Sequence, residues 1–343
     1  MLNATRRLVA EPGLRHPERD ALLDVIAVLG APADAEALLP VFMDAPDDRH
    51  DLVDLLVRLG DSPMAERLHA AFVADDALKP GAPHDLLWAF GWAGMAQTRP
   101  MLFRYAVEGD WHESTAAVLG LLHLPLDGLE DDIRQAAAAG LGKSLFREYL
   151  PALVGRIGDA ELMHRLIADA RQHASTDCLA GILLGAALLG PPGRAVFEDM
   201  VWDLSLESGL MQARAAAMGM DLLGITVSDL TGWLRTRIAE APETVEHWHF
   251  STLREIVLCH LSSPPSSSPL RFMPPRRERL IDVWRAVAGE DILGEDGLAA
   301  IADRMVGAEA AWIRDEFTSL EQRIVMQVHR EAMLAELPRI TTP

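Results

Sequence analysis

Apolar residues recur at the three- and four-residue spacing of amphipathic α-helices along most of the chain, and short breaks at Gly or Pro separate the runs. The stretch 55–72 shows the pattern, with one apolar stripe before Gly60 and another after Pro63. The stripes consist of Leu55, Leu56 and Leu59 in the first run and of Met64, Leu68, Ala71 and Phe72 in the second. Sustained alternation of polar and β-branched residues is missing, so we expect helices and no strands.

Each break carries residues typical of a helix end followed by a helix start. Gly60 is expected to close one helix in a left-handed cap. Asp61 or Ser62 then offers an N-cap, and Pro63 suits the first position of the next helix. Gly190 takes the place of Gly60 in a later stretch. The pattern therefore predicts helical hairpins joined by tight turns.

Two stretches of the chain repeat one another thirty residues apart. Residues 25–42 read VIAVLGAPADAEALLPVF and residues 55–72 read LLVRLGDSPMAERLHAAF. The identical positions are Leu29/Leu59, Gly30/Gly60, Ala35/Ala65, Glu36/Glu66, Leu38/Leu68 and Phe42/Phe72. The breaks continue at intervals of 30 to 34 residues, at Gly30, Gly60, Gly94, Pro125, Gly158, Gly190 and Gly224. Such even spacing predicts a stack of two-helix units.

The junctions inside these units resemble those of HEAT repeats, particularly the short bacterial kind with an L-G-D-x-x-A-x-x-x-L junction. The matching stretches are LGAPADAEALLP (29–40), LGDSPMAERL (59–68) and IGDAELMHRL (157–166), and Pro40 stands where the family often has a proline. The resemblance covers roughly residues 20–260. It implies an all-α, right-handed α-solenoid of about seven helical hairpins, a shape related to armadillo-type and TPR arrays. The tryptophan and tyrosine placement of TPR units is not evident.

Three segments are expected along the chain: the solenoid (1–261), a Pro/Ser-rich loop or linker (262–279) and a helical C-terminal cap (280–343). The middle segment contains five prolines and five serines, which prevent a helix there. The amphipathic stretch 308–337 is expected to cover the last apolar face of the array. Alternatively it pairs with a partner helix or a second copy. We therefore expect a monomer or a homodimer.

Charge, hydropathy and cysteine content limit the partners and the cellular location that we expect. The chain has 51 acidic and 31 basic residues, a net charge of −20, and residues 1–269 hold 38 of the acids against 21 bases. A surface of this charge repels nucleic acid and anionic lipid. The most apolar run, 178–190, is too short to span a bilayer, and the start of the chain has no apolar run of signal-peptide length. The two cysteines form no disulfide framework, so we expect a cytoplasmic protein.

Acidic runs at the unit boundaries are the first candidate binding surface. In an array with a concave face, a negative rim steers a basic protein or peptide into the groove. The candidate rim residues are Asp47, Asp48, Asp51, Asp131 and Asp132.

A second candidate surface is aromatic. Trp88, Trp92, Trp111 and His112 are close enough in sequence to form the walls of a small-molecule groove. HEAT-repeat hydroxylases with a di-iron centre need several His–Glu pairs, and this chain offers the single pair His112–Glu113. HEAT-like DNA glycosylases need a cationic groove, which the net charge opposes. HEAT-like bilin lyases share no motif with the chain.

Catalytic signatures are otherwise missing. His247, His249 and His260 lack the spacing of a metal site, and the common nucleotide-binding and hydrolytic motifs do not occur. We therefore expect no metal, no cofactor and no catalytic residues. The predicted function is a non-catalytic protein-binding scaffold or adaptor for a basic partner. An enzyme or enzyme-accessory protein with a small-molecule groove is the alternative, and a glycosylase-type repair protein ranks third.

Overall fold

The computed structural model describes most of the chain up to residue 225. The described residues are 26, 30–142, 149–173, 179–203, 210–225, 229–230, 232–233, 236, 240 and 256. They contain eleven α-helices, one 3-10 turn and one very short hairpin, which confirms the predicted all-α class at this level. The linker and cap predicted for 262–343, and His247, His249 and His260, lie outside the described residues.

The chain divides into two compact units, the first reaching Leu189 and the second beginning at Gly190. The helices of the first unit are α1 (Pro32–Asp44), α2 (Leu52–Phe72), α3 (Asp85–Trp92), α4 (Arg99–Glu108), α5 (Trp111–Leu121), α6 (Glu130–Gly140), α7 (Leu150–Arg156), α8 (Ala160–His173) and α9 (Leu179–Leu188). In the second unit, α10 (Pro191–Asp203) contacts α11 (Leu210–Leu223). None of the helices in the described ranges is long and apolar enough to cross a membrane.

The helices of the first unit pack in two rows. α3, α5, α7 and α9 contact one another in that order, while α4 packs on α5, and α8 packs on both α7 and α9. All residues of α9 from Leu179 to Ala187 are buried, as expected for a helix that is apolar on every side. In α8 the buried residues form one stripe: Leu162, Met163, Leu166, Ile167 and Ala170. The first row therefore lies inside the unit, and the second covers it with amphipathic helices.

Glycines allow the helices of the inner row to approach closely. A Cβ atom at Gly91 in α3 would overlap the backbone of Gly120 in α5. In the same way, a Cβ atom at Gly155 in α7 would overlap the backbone of Gly185 in α9. The two contacts depend on the missing side chains, since each helix backbone fills the space that a methyl group would occupy.

The expectation of no strands is wrong at one short hairpin. β1 (Val73–Ala74) pairs antiparallel with β2 (Ala77–Leu78). Asp75 and Asp76 form the turn with φ of 49° and 55°, and two positive φ values are what a type I′ hairpin turn requires. Strands of two residues are too short to show alternation, so hydrophobic patterning could not reveal them.

The break at Gly60 also differs from the predicted cap. The residue with positive φ is Asp61 (φ 51°, ψ −152°), which kinks α2 into two helical halves. Gly60 serves close packing, because a Cβ atom there would lie 2.6 Å from the Cβ of Met64. At Gly190 the predicted left-handed conformation is confirmed, with φ of 69°.

Candidate functional site

The N-terminal ends of α2, α3 and α5 bring five aromatic and charged side chains together. His50 Nδ1 lies 3.5 Å and His84 Nε2 lies 3.6 Å from Oδ2 of Asp85. The His84 ring stacks on that of His112 at 5.0 Å between centroids, and the Trp111 ring meets His112 edge-on at 4.7 Å. We call His50, His84, Asp85, Trp111 and His112 the edge cluster.

The edge cluster is partly exposed, although Oδ2 of Asp85, the oxygen that His50 and His84 contact, is buried. The side chains of His50, His84 and Asp85 are 50%, 38% and 36% exposed. Trp111 is 48% exposed and His112 is exposed as well. Among large hydrophobic residues of the described ranges, the exposed ones are Trp111 and Met43. Tryptophan is one of the residue types that contribute most to binding where an interface forms.

Local sequence fixes Trp111 and His112 at the start of α5. Asp110 is the N-cap, and its Oδ1 accepts a hydrogen bond of 2.9 Å from the Glu113 amide. Glu113 Oε2 in turn accepts one of 2.9 Å from the Asp110 amide. This capping box starts α5 at Trp111. It engages the Glu113 carboxylate, so Glu113 of the His112–Glu113 pair serves helix capping.

A second group of side chains lies deeper in the first unit than the edge cluster. Arg58 Nε donates a 2.7 Å hydrogen bond to Asp54 Oδ1, and both side chains are less than one-fifth exposed. The Arg58 guanidinium lies over the Trp92 ring, 5.5 Å from its centroid. The Trp92 ring lies 5.9 Å from that of Trp88. We call Asp54, Arg58, Trp88 and Trp92 the inner cluster.

The charge state of Asp54 depends on two opposing effects. Burial of the carboxyl group raises its pKa to about 7, even though the charge and the hydrogen bond of Arg58 act to lower it. The nearby carboxylate of Asp85 raises the pKa further. Oδ2 of Asp54 is buried and accepts no hydrogen bond from the described residues. The charge of Asp85 in the edge cluster therefore acts on the pKa of Asp54 in the inner cluster.

The structure separates the four predicted groove residues into two environments. Trp88 and Trp92 are 7% and 8% exposed, so they belong to the buried face of α3 and do not form open groove walls. The helix is apolar on almost every side, which places both rings in the interior. Trp111 and His112 lie at the surface, in the edge cluster.

The five predicted rim carboxylates lie at two helix starts. Asp47 and Asp48 are exposed in the turn before α2, and the half-buried Asp51 directly precedes that helix. Asp131 and Asp132 are exposed in the first turn of α6. These positions are favourable for acids, since carboxylates oppose the helix dipole there.

One of the two carboxylates at the start of α6 is engaged by an arginine. Arg134 donates from Nη1 to Asp131 Oδ1 at 2.7 Å and from Nε to Asp159 Oδ2 at 2.9 Å. The backbone amide of Leu162 donates to Asp159 Oδ1 at 3.0 Å, and this bond, with Arg134, holds the pKa of Asp159 below its usual range. Arg134 thus joins α6 to the start of α8.

The sequence did not single out five of these residues: His50, Asp54, Arg58, His84 and Asp85. A signal for part of this set exists, because the tripeptide His-Asp-Leu occurs at 50–52 and again at 84–86, each time at a helix start. Within the described ranges, the His, Cys, Asp and Glu side chains are not placed to hold a metal ion.

The described residues form an almost entirely helical fold, and the edge cluster is a partly exposed patch of one tryptophan, three histidines and one aspartate. Comparison with known protein families, curated proteins and solved structures finds no match.

Proposed function

We propose that the protein is a non-catalytic scaffold or adaptor that binds a basic protein or peptide on the acidic surface of a HEAT-like solenoid. The observation that carries the proposal is the charge of the described helical body. Residues 30–142 hold 19 acidic and 7 basic residues, a net charge of −12 with histidines neutral. Such a surface attracts cationic partners and repels phosphate backbones.

Contacts at the repeat interval support the solenoid part of the proposal. Arg67 pairs with Glu36 at 2.5 Å, and Ser62 Oγ donates to the Ala93 carbonyl at 3.2 Å, in both cases across 31 positions. The rings of Phe42 and Phe72, identical positions of the repeat, meet at 5.5 Å. In a stack of hairpins each unit contacts its neighbours, which produces contacts at this separation.

Exposed carboxylates at two places favour a partner that spans several units. Asp47 and Asp48 precede α2, whereas Asp131 and Asp132 begin α6. A basic segment that reaches both groups would gain binding free energy from each of them, although a single exposed ion pair contributes little to that free energy. A long complementary surface therefore suits an adaptor better than a small-molecule site does.

The proposal is tested by a tagged pull-down at low salt, followed by a salt step and mass spectrometry of the eluate. The expected result is a basic protein retained in near-stoichiometric amount and released by moderate salt. Its affinity is then measured for the purified pair and for two double variants, Asp47→Asn/Asp48→Asn and Asp131→Asn/Asp132→Asn. We expect each double variant to weaken binding by about three- to thirty-fold at low salt, because charge complementarity is reduced.

Two outcomes would contradict the proposal. One is the absence of any specifically retained protein at low salt. The other is a partner whose affinity is independent of both salt and the four aspartates. A matched control is Glu108→Gln, which removes one exposed acid from the end of α4, outside both groups. It should change the affinity less than either double variant.

A further inference from the structure

We propose that the edge cluster is an arginine-recognition site, where Trp111 stacks on the guanidinium of a basic partner and Asp85 attracts a second cationic side chain. The inference rests on the proposed function, since it names the residue type that the acidic surface recognises. The expected ligand is a peptide segment in extended conformation that carries arginine.

Trp111 has the features of an anchor for a cation. Its ring is 48% exposed, and the capping box formed by Asp110 and Glu113 fixes the backbone beneath it. The face of an indole attracts a guanidinium through its quadrupole and also stacks on its plane. Asp110, the neighbouring residue, is itself exposed and adds negative charge next to the ring.

The same chain already combines these groups in its interior. In the inner cluster, Arg58 is held by a carboxylate and lies over an indole ring. Trp111 and Asp110, its neighbour in the sequence, are both exposed and offer these two residue types at the surface, where an arginine from another molecule supplies the missing cation. This chemistry predicts that arginine is preferred to lysine, whose ammonium group does not stack.

The length of the edge cluster sets the spacing of the two cations. The ring of His112 lies 4.7 Å from that of Trp111 and 5.0 Å from that of His84, and His84 contacts Asp85. An extended peptide advances about 3.3 Å per residue. Side chains of an extended chain share a face only at even separations, so two cations that face the cluster lie two or four residues apart, which predicts an Arg-x-Arg or Arg-x-x-x-Arg motif.

The test uses synthetic peptides and isothermal titration calorimetry on the full chain. The probes are a Gly/Ser peptide with three arginines at alternate positions, the same peptide with lysines, and the same peptide with glutamates. We expect the arginine peptide to bind more tightly than the lysine peptide, and the glutamate peptide not to bind. Trp111→Ala should weaken the arginine peptide by about three- to thirty-fold, the range of a cation–π contact. Asp85→Asn should weaken it as well.

Met43→Ala is the matched control, because Met43 is 44% exposed and lies in α1, outside the edge cluster. It should leave peptide affinity unchanged. Thermal melting of each variant identifies loss of folding, and Trp111→Phe, which keeps an aromatic face, should restore part of the affinity if the helix itself tolerates substitution.

Different failures separate this inference from the proposed function. If the basic partner and the arginine peptide bind Trp111→Ala and Asp85→Asn as tightly as the unaltered chain, the edge cluster is not the site, while the acidic scaffold stands. If neither a basic protein nor a basic peptide binds the unaltered chain, both fail. If Trp111→Ala instead abolishes self-association in sedimentation experiments, the cluster is a contact between two copies and the inference is overturned.

Discussion

Asp54 shows how one buried carboxyl group links the fold to pH. Its neighbour Arg58 favours the ionised form, but burial outweighs that attraction and raises the pKa to about 7. A salt bridge between partly buried groups is therefore a balance between desolvation and attraction, and here desolvation dominates. Arg58 also lies over the Trp92 ring, 5.5 Å from its centroid.

The raised pKa predicts a specific effect of Asp54→Asn on stability. The folded state holds the proton up to about pH 7, whereas the unfolded chain releases it near the ordinary value of 3.8. The group therefore contributes its full stability below pH 3.8, and this contribution is lost as the pH rises to about 7. The asparagine side chain of the variant has no such proton to release. As the pH rises across that window, the free energy of unfolding of the variant should therefore increase relative to that of the unaltered chain by roughly 1 kcal/mol per pH unit.

Urea denaturation at pH 5, 6, 7 and 8 measures this difference. Asp48→Asn, at an exposed site before α2, is the control and should show a smaller pH-dependent difference. A difference for Asp54→Asn that is constant from pH 5 to pH 8 would show that the carboxyl group is not held protonated.

At the scale of helices, the breaks were easier to predict than their geometry. Gly190 adopts the predicted left-handed conformation, whereas Gly60 packs against Met64 and leaves the positive φ to Asp61. Spacing identifies where a helix ends, but the tertiary contact decides which residue takes the unusual conformation. The sites of Gly91 and Gly120 could not be predicted for the same reason, since close helix contact is not visible in a single sequence.

Gly91→Ala tests the close contact between α3 and α5. The added methyl group would overlap the Gly120 backbone, so the helices must separate. We expect a loss of about 1–3 kcal/mol in the free energy of unfolding, the usual range for overpacking. Gly232→Ala is the control, because a Cβ atom there meets no described residue within 4 Å. It should be neutral or slightly stabilising in urea denaturation, and an equal loss for both variants would argue against a glycine-dependent contact.

At the scale of the whole molecule, the thirty-residue interval is visible in the sequence, whereas the environments of the candidate site residues are visible only in part. The thirty-residue interval depends on identities such as Phe42/Phe72, whose rings are in contact in the core and which therefore remain visible in the sequence. Trp111 and His112 were found as candidates because their residue types are rare. The burial of Trp88 and Trp92 could not be predicted, because it depends on the helices that enclose α3.

Local unfolding distinguishes an array, in which each helix pair contacts chiefly its neighbours, from a single cooperative core. Leu183 in α9 is fully buried, and Leu183→Ala should lower the free energy of unfolding locally by about 2–5 kcal/mol. If each helix pair is stabilised chiefly by its neighbours, hydrogen exchange measured by mass spectrometry should accelerate in α7, α8 and α9 and remain unchanged in α1 and α2. Leu38→Ala, at a buried position of α1, should give the reverse pattern. Equal acceleration in every helix by both variants would mean that the first unit unfolds as one body, and the solenoid proposal would then lose its energetic basis.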